Sequence, residues 1–274
     1  LSMTPLFIAC QNDHLEIAQM LLVQGAAINR VSCDGSSPLF IACQEGNVAI
    51  VRLLQEQGAS TEMPHQHGSD GWTPLIMACQ NGHIEIARML LEQGESINQA
   101  SEDMNLTPLF MACQNGHFEI ARLLLEQSAS TNQARDEDGI TPLYIACELG
   151  HLDIARLLMG HGAAVNQARE NGASPLHVAC GEGHLEIARL LLGRGAAINQ
   201  TRRTLRGGPD ATTPLYMACS GGHVEVARLL LESDAAVDQA KNDGWTPLII
   251  GCYEGHVEVV RLLLENNAAV NQAE

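Results

Sequence analysis

The sequence predicts an all-α solenoid of stacked helix-turn-helix units with projecting, hairpin-like fingers. Three observations predict it: the chain repeats itself, every copy opens with the same helix-start signal, and half of the copies contain two glycine stop signals. Thr/Ser-Pro-Leu occurs eight times, at intervals of 33 to 39 residues, and such a period is typical of repeat proteins. The eight anchors are Thr4, Ser37, Thr73, Thr107, Thr141, Ser174, Thr213 and Thr246. One unit of this size cannot bury its apolar face alone, so neighbouring units must bury it by stacking.

Each repeat opens with a short first helix, as in the stretch TPLFMACQN that begins at Thr107. The threonine hydroxyl accepts a hydrogen bond from a free N–H group at the helix start, and proline suits the first helical position. The helix is expected to end at the following glycine, Gly116 in this repeat, because glycine readily takes the left-handed conformation found at helix ends. Repeat one has Asp13 there instead.

The second helix is predicted over HFEIARLLLEQ and its copies. Glu119, Arg122 and Glu126 form one polar stripe at helical spacing, whereas Ile120 and Leu124 fall on the opposite side. The helix therefore buries most of its circumference and shows one charged edge. We interpret the arginines of this edge as members of solvated ion pairs and not as a track for phosphates.

A second stop and a polar loop complete each repeat. Glycine ends the second helix in five repeats, and Ser128, Asp234 and Asn267 replace it in the other three. The segment from there to the next Thr/Ser-Pro is long enough to project as a finger.

Several motifs together resemble the ankyrin repeat: Asp-Gly-Trp-Thr-Pro-Leu at 243–248, Ala-Cys, Gly-His-x-Glu, Leu-Leu-Leu and Ala-Ala-Val-Asn. The resemblance implies one ankyrin-repeat domain over residues 1–274. The last repeat is as apolar as the internal ones, so we expect the domain to be part of a longer array. The family's Thr-Pro-Leu-His keeps its histidine only at His177, and its Ala-Ala is mostly Ala-Cys here, which alters the packing of the first helix.

Composition limits the classes of partner. The net charge of −17 argues against nucleic acid, whose binding depends on neutralising phosphates with Lys and Arg, and against an anionic membrane surface. No run of about 18 apolar residues is present, so we expect no insertion into a membrane. The sequence contains no phosphate-binding loop, nucleophile motif or zinc-protease motif, so it predicts no enzyme, no cofactor and no small-molecule substrate.

Cysteines and histidines recur at fixed repeat positions. Eight of the nine cysteines follow the alanine or glycine of the first helix, and we expect them to be buried, reduced thiols, with Cys33 exposed in a loop. Reduced thiols suit the cytoplasm or the nucleus. The seven histidines at the start of the second helix are interpreted as hydrogen-bonded structural residues. His65 and His67 are weaker site candidates, since two histidines in one loop are more often simply polar than metal ligands.

The ankyrin resemblance implies that a partner binds the finger tips and the exposed side of the first helix, a concave strip. Aromatic and apolar side chains surrounded by polar ones are typical binding hot spots. When the family's contact positions are transferred to this sequence, the apolar and aromatic candidates are Trp72, Leu106, Ile140, Leu149, Trp245 and Tyr253. For each of these side chains, partial packing against a neighbouring finger is an equally good interpretation. Weaker candidates form a glutamine series, Gln11, Gln44, Gln80 and Gln114.

The longest finger supplies a charged candidate. Arg202, Arg203 and Arg206 lie in the insertion before Thr213. A basic tip on an acidic protein favours a partner with an acidic segment, because arginine binds carboxylates with paired hydrogen bonds. A flexible solvated loop is the alternative interpretation.

The sequence thus predicts a non-catalytic scaffold or adaptor that binds a protein or peptide along the concave strip and finger tips. Two alternatives stay open: a structural spacer in a large assembly, and the regulatory repeat region of a larger enzyme.

Overall fold

The computed structural model describes residues 3–33, 35–61, 71–203 and 209–271. Within these ranges the chain forms sixteen α-helices and one pair of short antiparallel strands. The helices pair into eight helix-turn-helix units at the predicted positions. The predicted all-α repeat fold is therefore confirmed, with a small strand pair added in one finger.

The first helix of each repeat begins at the proline of the Thr/Ser-Pro motif. In seven repeats the preceding Thr or Ser hydroxyl accepts a hydrogen bond of 3.1 to 3.2 Å from the N–H three residues later, as predicted. The first helices are α1 Pro5–Gln11, α3 Pro38–Glu45, α5 Pro74–Asn81, α7 Pro108–Gln114, α9 Pro142–Glu148, α11 Pro175–Gly181, α13 Pro214–Ser220 and α15 Pro247–Tyr253.

The second helix of each repeat has the predicted charged edge. Arginines pair with a glutamate three residues earlier in Arg122–Glu119, Arg189–Glu186, Arg228–Glu225 and Arg261–Glu258, all with exposed side chains, which confirms the ion-pair interpretation. The second helices are α2 Leu15–Val23, α4 Val48–Glu56, α6 Ile84–Glu92, α8 Phe118–Glu126, α10 Leu152–Gly160, α12 Leu185–Leu192, α14 Val224–Glu232 and α16 Val257–Glu265.

The chain divides into two compact units, Leu1–Glu137 and Asp138–Glu274, each with four repeats. In the first unit, α1, α3, α5 and α7 pack side by side, and α2, α4, α6 and α8 form a second layer. In the second unit, α9, α11, α13 and α15 form one layer and α10, α12, α14 and α16 the other. The core between the layers is mainly aliphatic, with alanines and cysteines where the helices approach closely.

Seven of the eight repeated cysteines are buried, as predicted, and Cys33 is exposed. The prediction is wrong for Cys252 of the last repeat, whose thiol is exposed. Its first helix, α15, packs against α13 of the preceding repeat and against α16 of its own, and in the described part of the chain no further first helix packs on its other side. Burial raises the pKa of the core thiols, as at Cys113 and Cys147, and keeps them unreactive.

The repeated histidines connect neighbouring repeats. In five of the seven, a ring nitrogen donates a hydrogen bond to a main-chain carbonyl at the end of the preceding first helix, at 2.9 to 3.1 Å. The pairs are His83 to Gln44, His117 to Gln80, His184 to Glu148, His223 to Gly181 and His256 to Ser220. Asn47 replaces histidine in repeat two and donates to Cys10 in the same way, at 2.7 Å. The structural interpretation is confirmed for these five histidines.

The turns use the left-handed conformation that the stop signals predict. Gly82 has φ of +82°, and Asp13 takes φ of +55° in the equivalent turn of repeat one. At the end of the second helix, Ser128, Asp234 and Asn267 also adopt positive φ, of 67°, 64° and 62°. The three replacements thus keep the turn at some cost in backbone strain.

Finger bases are linked by asparagine side chains. The Oδ1 atom of Asn98 accepts from the Ser130 N–H at 2.8 Å, and Asn166 accepts from Ala197 at 2.8 Å. In the longest finger, β1 Arg202–Arg203 pairs with β2 Pro209–Thr212, with Arg202 opposite Thr212. The finger before repeat seven therefore starts and ends as a hairpin, as the fold prediction proposed for fingers.

Candidate functional site

After each of repeats four to seven, one residue at the base of the following finger is basic. It stands three positions after the finger-base Asn or Asp, in the sequences NQAR, NQAR, NQTR and DQAK. We call these residues the basic column: Arg135, Arg169, Arg202 and Lys241. Arg135 belongs to the first unit and the other three to the second. In the sequence, Arg202 is first noticed as part of an insertion, although the repeated letters also place it in this register.

Three members of the basic column lie over an aromatic ring of the preceding first helix. The ring belongs to the third residue of that helix, and the distances from cation to ring centre are 5.4 to 5.8 Å, within the range of cation–π attraction. The pairs are Arg135 over Phe110, Arg169 over Tyr144 and Lys241 over Tyr216. Finger and helix are thus joined by the same contact in three repeats.

Repeat six has a histidine where the other repeats have an aromatic or isoleucine side chain. His177 is buried, its Nδ1 atom accepts from the Ser174 N–H at 3.2 Å, and its Nε2 donates to the Thr212 carbonyl at 3.1 Å. Burial lowers the pKa of His177 to about 4, and the nearby Arg202 charge adds to the effect. His177 is therefore neutral near pH 7, and its hydrogen-bonded imidazole takes the place of the phenyl or phenol ring found in the neighbouring repeats.

Arg202 lies beside this histidine in a cavity of about 140 Å³, the repeat-six pocket. Its Nε atom is buried and has no hydrogen-bond partner within the described ranges. The pocket is lined by Tyr144, Arg169, His177, Gly181, Arg202 and Met217, and by the carboxylates Glu148 and Glu182 near the ends of α9 and α11. An unpaired buried donor is costly, so the pocket provides an unused binding group for an acceptor.

Small residues in repeat six open this pocket. Gly181 occupies the position that holds Gln, Glu, Ser or Tyr in the other repeats. A Cβ atom added at Gly181 would lie 3.0 Å from the Cε atom of Met217, so a larger side chain would press on that wall. Ala173 also lines the pocket, and several other repeats have Trp, Leu or Ile at this position.

The strip candidates of the second unit differ in exposure. Leu149 is 46% exposed and Tyr253 is 73% exposed. Trp245 is half-buried and packs edge-on against Tyr253, with 5.2 Å between ring centres. These three side chains offer apolar surface on the same layer of first helices as the repeat-six pocket. In the first unit, Trp72 is also half-buried.

Two strip candidates are hidden. Leu106 is 5% exposed and Ile140 is 3% exposed. Their N–H groups bond to their own fingers, Leu106 to the Ser101 hydroxyl at 3.0 Å and Ile140 to a carboxylate oxygen of Asp138 at 3.2 Å. Because the residue before Thr-Pro turns inward there, little of either side chain is available to a partner.

The remaining candidates are distributed as follows. Arg203 is exposed and its N–H donates to the Asn171 carbonyl. Arg206, His65 and His67 lie outside the described residues. The glutamines Gln11, Gln44, Gln80 and Gln114 are half-buried, and the carbonyls of Gln44 and Gln80 accept the histidine hydrogen bonds between repeats.

The described ranges also bear on two other kinds of site, a membrane span and a metal site. No helix there is both long and apolar enough to cross a bilayer. No group of three or more His, Cys, Asp or Glu side chains there is arranged to hold a metal ion.

The repeat geometry agrees with a comparison against known families. The family model described as ankyrin repeats (3 copies) matches residues 1–65, 60–135, 128–202 and 202–274, which together span the chain. The chain belongs to the ankyrin-repeat family. Ankyrin repeats are generally protein–protein interaction modules, and the fold is typically non-catalytic. A search among curated proteins gives no significant match.

Within the ankyrin-repeat frame, repeat six is the only one that keeps the family's histidine after Thr/Ser-Pro-Leu. It is also the repeat that contributes the pocket, and its histidine stands where the neighbouring repeats place a phenyl or phenol ring beneath the basic column. The family's usual residue and the unusual pocket thus occur together: His177 directs its hydrogen bonds to Ser174 and Thr212, and the Nε atom of Arg202 has no hydrogen-bond partner in the described part of the chain.

Proposed function

We propose that this ankyrin-repeat chain is a non-catalytic scaffold or adaptor, and that a partner protein binds the finger side of its second unit. The repeat-six pocket supports the proposal most directly, because it combines a buried, unpaired guanidinium donor with space for one side chain. A cavity of about 150 Å³ holds one benzene-sized group, so 140 Å³ suits a single side chain better than a separate substrate molecule.

The chemistry of the pocket favours a carboxylate from the partner. The Arg202 guanidinium prefers carboxylate acceptors, and its Nε is the donor left unused. Glu148 and Glu182 line the same pocket and would repel a run of acidic residues. The partner segment therefore presents one acidic side chain to Arg202, flanked by neutral groups or hydrogen-bond donors. Exposed Leu149 and Tyr253 add apolar contacts beyond the pocket.

Charge and thiol chemistry support the class of partner and the location. The net charge of −17 opposes binding to nucleic acid. All nine cysteines are free thiols, which suits the reducing conditions of the cytoplasm or nucleus.

A peptide selection with matched variants tests the proposal. Random extended peptides are displayed and selected against the wild-type chain, and the affinity of the selected peptides is measured for wild type, Arg202→Gln and Arg194→Gln. Arg194 is an exposed arginine after α12, on the other layer of the second unit. Losing one charged hydrogen bond weakens binding about 10-fold or more, so Arg202→Gln should bind at least about tenfold more weakly and Arg194→Gln should match wild type.

The same peptides should show enrichment of Asp or Glu, because the unused Nε donor of Arg202 prefers a carboxylate acceptor. Selected peptides with no acidic preference, or equal binding by Arg202→Gln, would refute an acidic partner at this pocket.

A structural spacer is the second candidate. Ile17, Met20 and Val23 of repeat one expose 49%, 69% and 82% of their surface, and such apolar side chains favour contacts with neighbouring protein. Peptide binding that survives in Arg202→Gln but fails when Ile17, Met20 and Val23 are changed together to Gln would favour this alternative.

A further inference from the structure

Repeat three contains one acidic residue that the other repeats lack. The first position after the stop of the second helix is alanine in seven repeats and Glu95 in repeat three. Five of those alanines are buried: Ala59, Ala129, Ala163, Ala235 and Ala268. A carboxylate therefore stands where the fold normally buries a methyl group. Glu95 belongs to the first unit, whereas the repeat-six pocket belongs to the second.

Only one of the two oxygens of the Glu95 carboxylate has a hydrogen bond, which it accepts from the start of α5. Its Oε1 atom accepts from the Leu75 N–H at 3.1 Å, and the Thr73 hydroxyl lies close by. Its Oε2 atom is buried and has no hydrogen-bond partner in the described part of the chain. The titratable groups that feel its charge are the thiols of Cys43 on α3 and Cys79 on α5, both buried and uncharged near pH 7.

A partly open cavity of about 370 Å³ adjoins this carboxylate. The volume lies at the lower end of the range found for small-ligand pockets, about 300 to 1,000 Å³. The residues around Glu95 are Thr61, Thr73, Gln93, Ser96 and Gln99, with Gly94, so the lining within the described residues offers neutral hydroxyls and amides and no basic side chain.

Burial without a counter-charge makes ionisation of this carboxyl unfavourable. It raises the pKa of Glu95 to about 7, although the hydrogen bonds from Leu75 and Thr73 act in the opposite direction. A cation in the cavity would supply both the missing donor for Oε2 and the missing charge. A divalent metal ion is a poorer match, since such ions need several protein ligands and only one carboxylate is present.

We propose that Glu95 anchors a second binding site, in the first unit, which receives an ammonium or guanidinium group. The group comes from a lysine or arginine side chain of a protein partner or from a free amine. The cation occupies the cavity, donates to Oε2 and remains in contact with the hydroxyl and amide groups of the lining. This site does not rest on the function proposed for the second unit, because it uses a different unit and the opposite charge.

The test uses the full wild-type chain, the variants Glu95→Gln, Glu95→Ala and Arg202→Gln, and a neutral control peptide. Ethylammonium, the peptide Ac-Gly-Lys-Gly-NH₂ and the neutral peptide Ac-Gly-Gln-Gly-NH₂ are titrated at constant ionic strength while the backbone amide NMR signals of Leu75, Gly94 and residue 95 are followed. Glu95→Gln keeps the shape and an acceptor for the Leu75 N–H but removes the charge. Glu95→Ala introduces the residue that the other seven repeats have, so the variant is expected to fold.

The expected result is saturable binding of the ammonium probes to wild type, at least about tenfold weaker in Glu95→Gln and in Glu95→Ala, with no binding of the neutral peptide. Arg202→Gln should bind these probes like wild type, which separates this site from the proposed peptide surface. Binding by wild type should be about tenfold weaker at pH 6 than at pH 8, because protonation of a carboxyl with a pKa of about 7 competes with the cation.

Binding of both ammonium probes supports a site open to free amines, and binding of the lysine peptide alone supports a partner side chain. Equal binding by wild type and Glu95→Gln, or no saturable binding of either ammonium probe, would overturn the proposal and leave Glu95 as a cap for α5.

Discussion

The guanidinium of Arg169 lies over the ring of Tyr144, with its central carbon 5.7 Å from the ring centre. The same guanidinium pairs with Asp138 at 3.3 Å, and both side chains of that pair are about one-fifth exposed. One finger residue therefore holds a first helix through its aromatic ring and a neighbouring finger through its carboxylate. Contacts of this kind fix the finger bases on which the pocket beside Arg202 depends.

Arg169→Gln should destabilise the second unit by about 1 to 2 kcal/mol, because it removes a cation–π contact and a largely buried ion pair. Urea denaturation of the variant measures the loss. Arg194→Gln, at an exposed arginine, should stay within about 0.5 kcal/mol of wild type. Equal stability of the two variants would contradict a structural role for the Arg169 contacts.

Gly82→Ala should cost more than Gly58→Ala, although both glycines have nearly the same φ, +82° and +79°. The backbone strain of about 1 to 2 kcal/mol is common to both. A Cβ at Gly82 would also lie 2.7 Å from the His117 ring, whereas a Cβ at Gly58 would meet nothing within 4 Å. Displacing the ring endangers its 2.9 Å bond to Gln80, so we expect about 1 to 2 kcal/mol more. Urea denaturation of the pair measures the difference, and identical losses would show that the ring contact is unimportant.

The second unit should lose stability in mild acid through His177. Its folded pKa of about 4 lies below the value near 6.5 of an unfolded histidine. The unfolded chain therefore takes up the proton first, and the stability falls as the pH drops from about 6.5 to 4, by at most about 3 kcal/mol. Denaturation of wild type and His177→Phe across this range should give a smaller pH slope for the variant. A slope that does not change would exclude His177 as its cause.

Glu95 should make the first unit less stable as the pH rises, which is opposite to the effect of His177 on the second unit. Its folded pKa of about 7 lies above the ordinary value of 4.5, so the unfolded chain releases the proton first and the stability falls as the pH rises from about 4.5 to 7. Glu95→Ala should therefore stabilise the unit at pH 7.5 by up to about 3 kcal/mol and have little effect at pH 4.5. Denaturation at the two pH values checks this, and a destabilised variant at pH 7.5 would contradict it.

Thiol counting checks the packing of the repeats. Two thiols, Cys33 and Cys252, should react with an exposed-thiol reagent in the native protein, and all nine after unfolding. The Cys252→Ser variant should lower the native count by one. Reaction of four or more thiols in the native protein would show that the first helices are not packed as described.

The repeat fold could be predicted because its signals are local. Thr4 and its seven equivalents mark each helix start by their own hydroxyl chemistry and the following proline, and the structure begins each first helix there. Ser128 could likewise be assigned to a turn because the repeat has glycine at that place elsewhere. The stacking of repeats can be predicted from the spacing of apolar residues along the helices, and that spacing is visible in the sequence.

The candidate site was harder to predict because exposure depends on neighbouring repeats. Leu106 and Ile140 precede Thr-Pro as Trp72 does, yet their own fingers turn them inward. The repeat-six pocket needs Met217 from one repeat, Gly181 from another and Tyr144 from a third, and no single stretch of sequence contains that combination. Glu95, by contrast, could have been found by aligning the eight copies, since it breaks a run of alanines.

The hydrogen bonds between repeats are accepted by main-chain carbonyls, those of Gln44, Gln80, Glu148, Gly181 and Ser220. Every amino acid supplies such a carbonyl, so the identity of the side chain at these positions is irrelevant to the bond. Duplicated copies can therefore diverge here, from glutamine to glycine or serine, without breaking the link to the next copy. The link between repeats uses main-chain atoms of these residues, so their side chains can change over generations while the link is preserved.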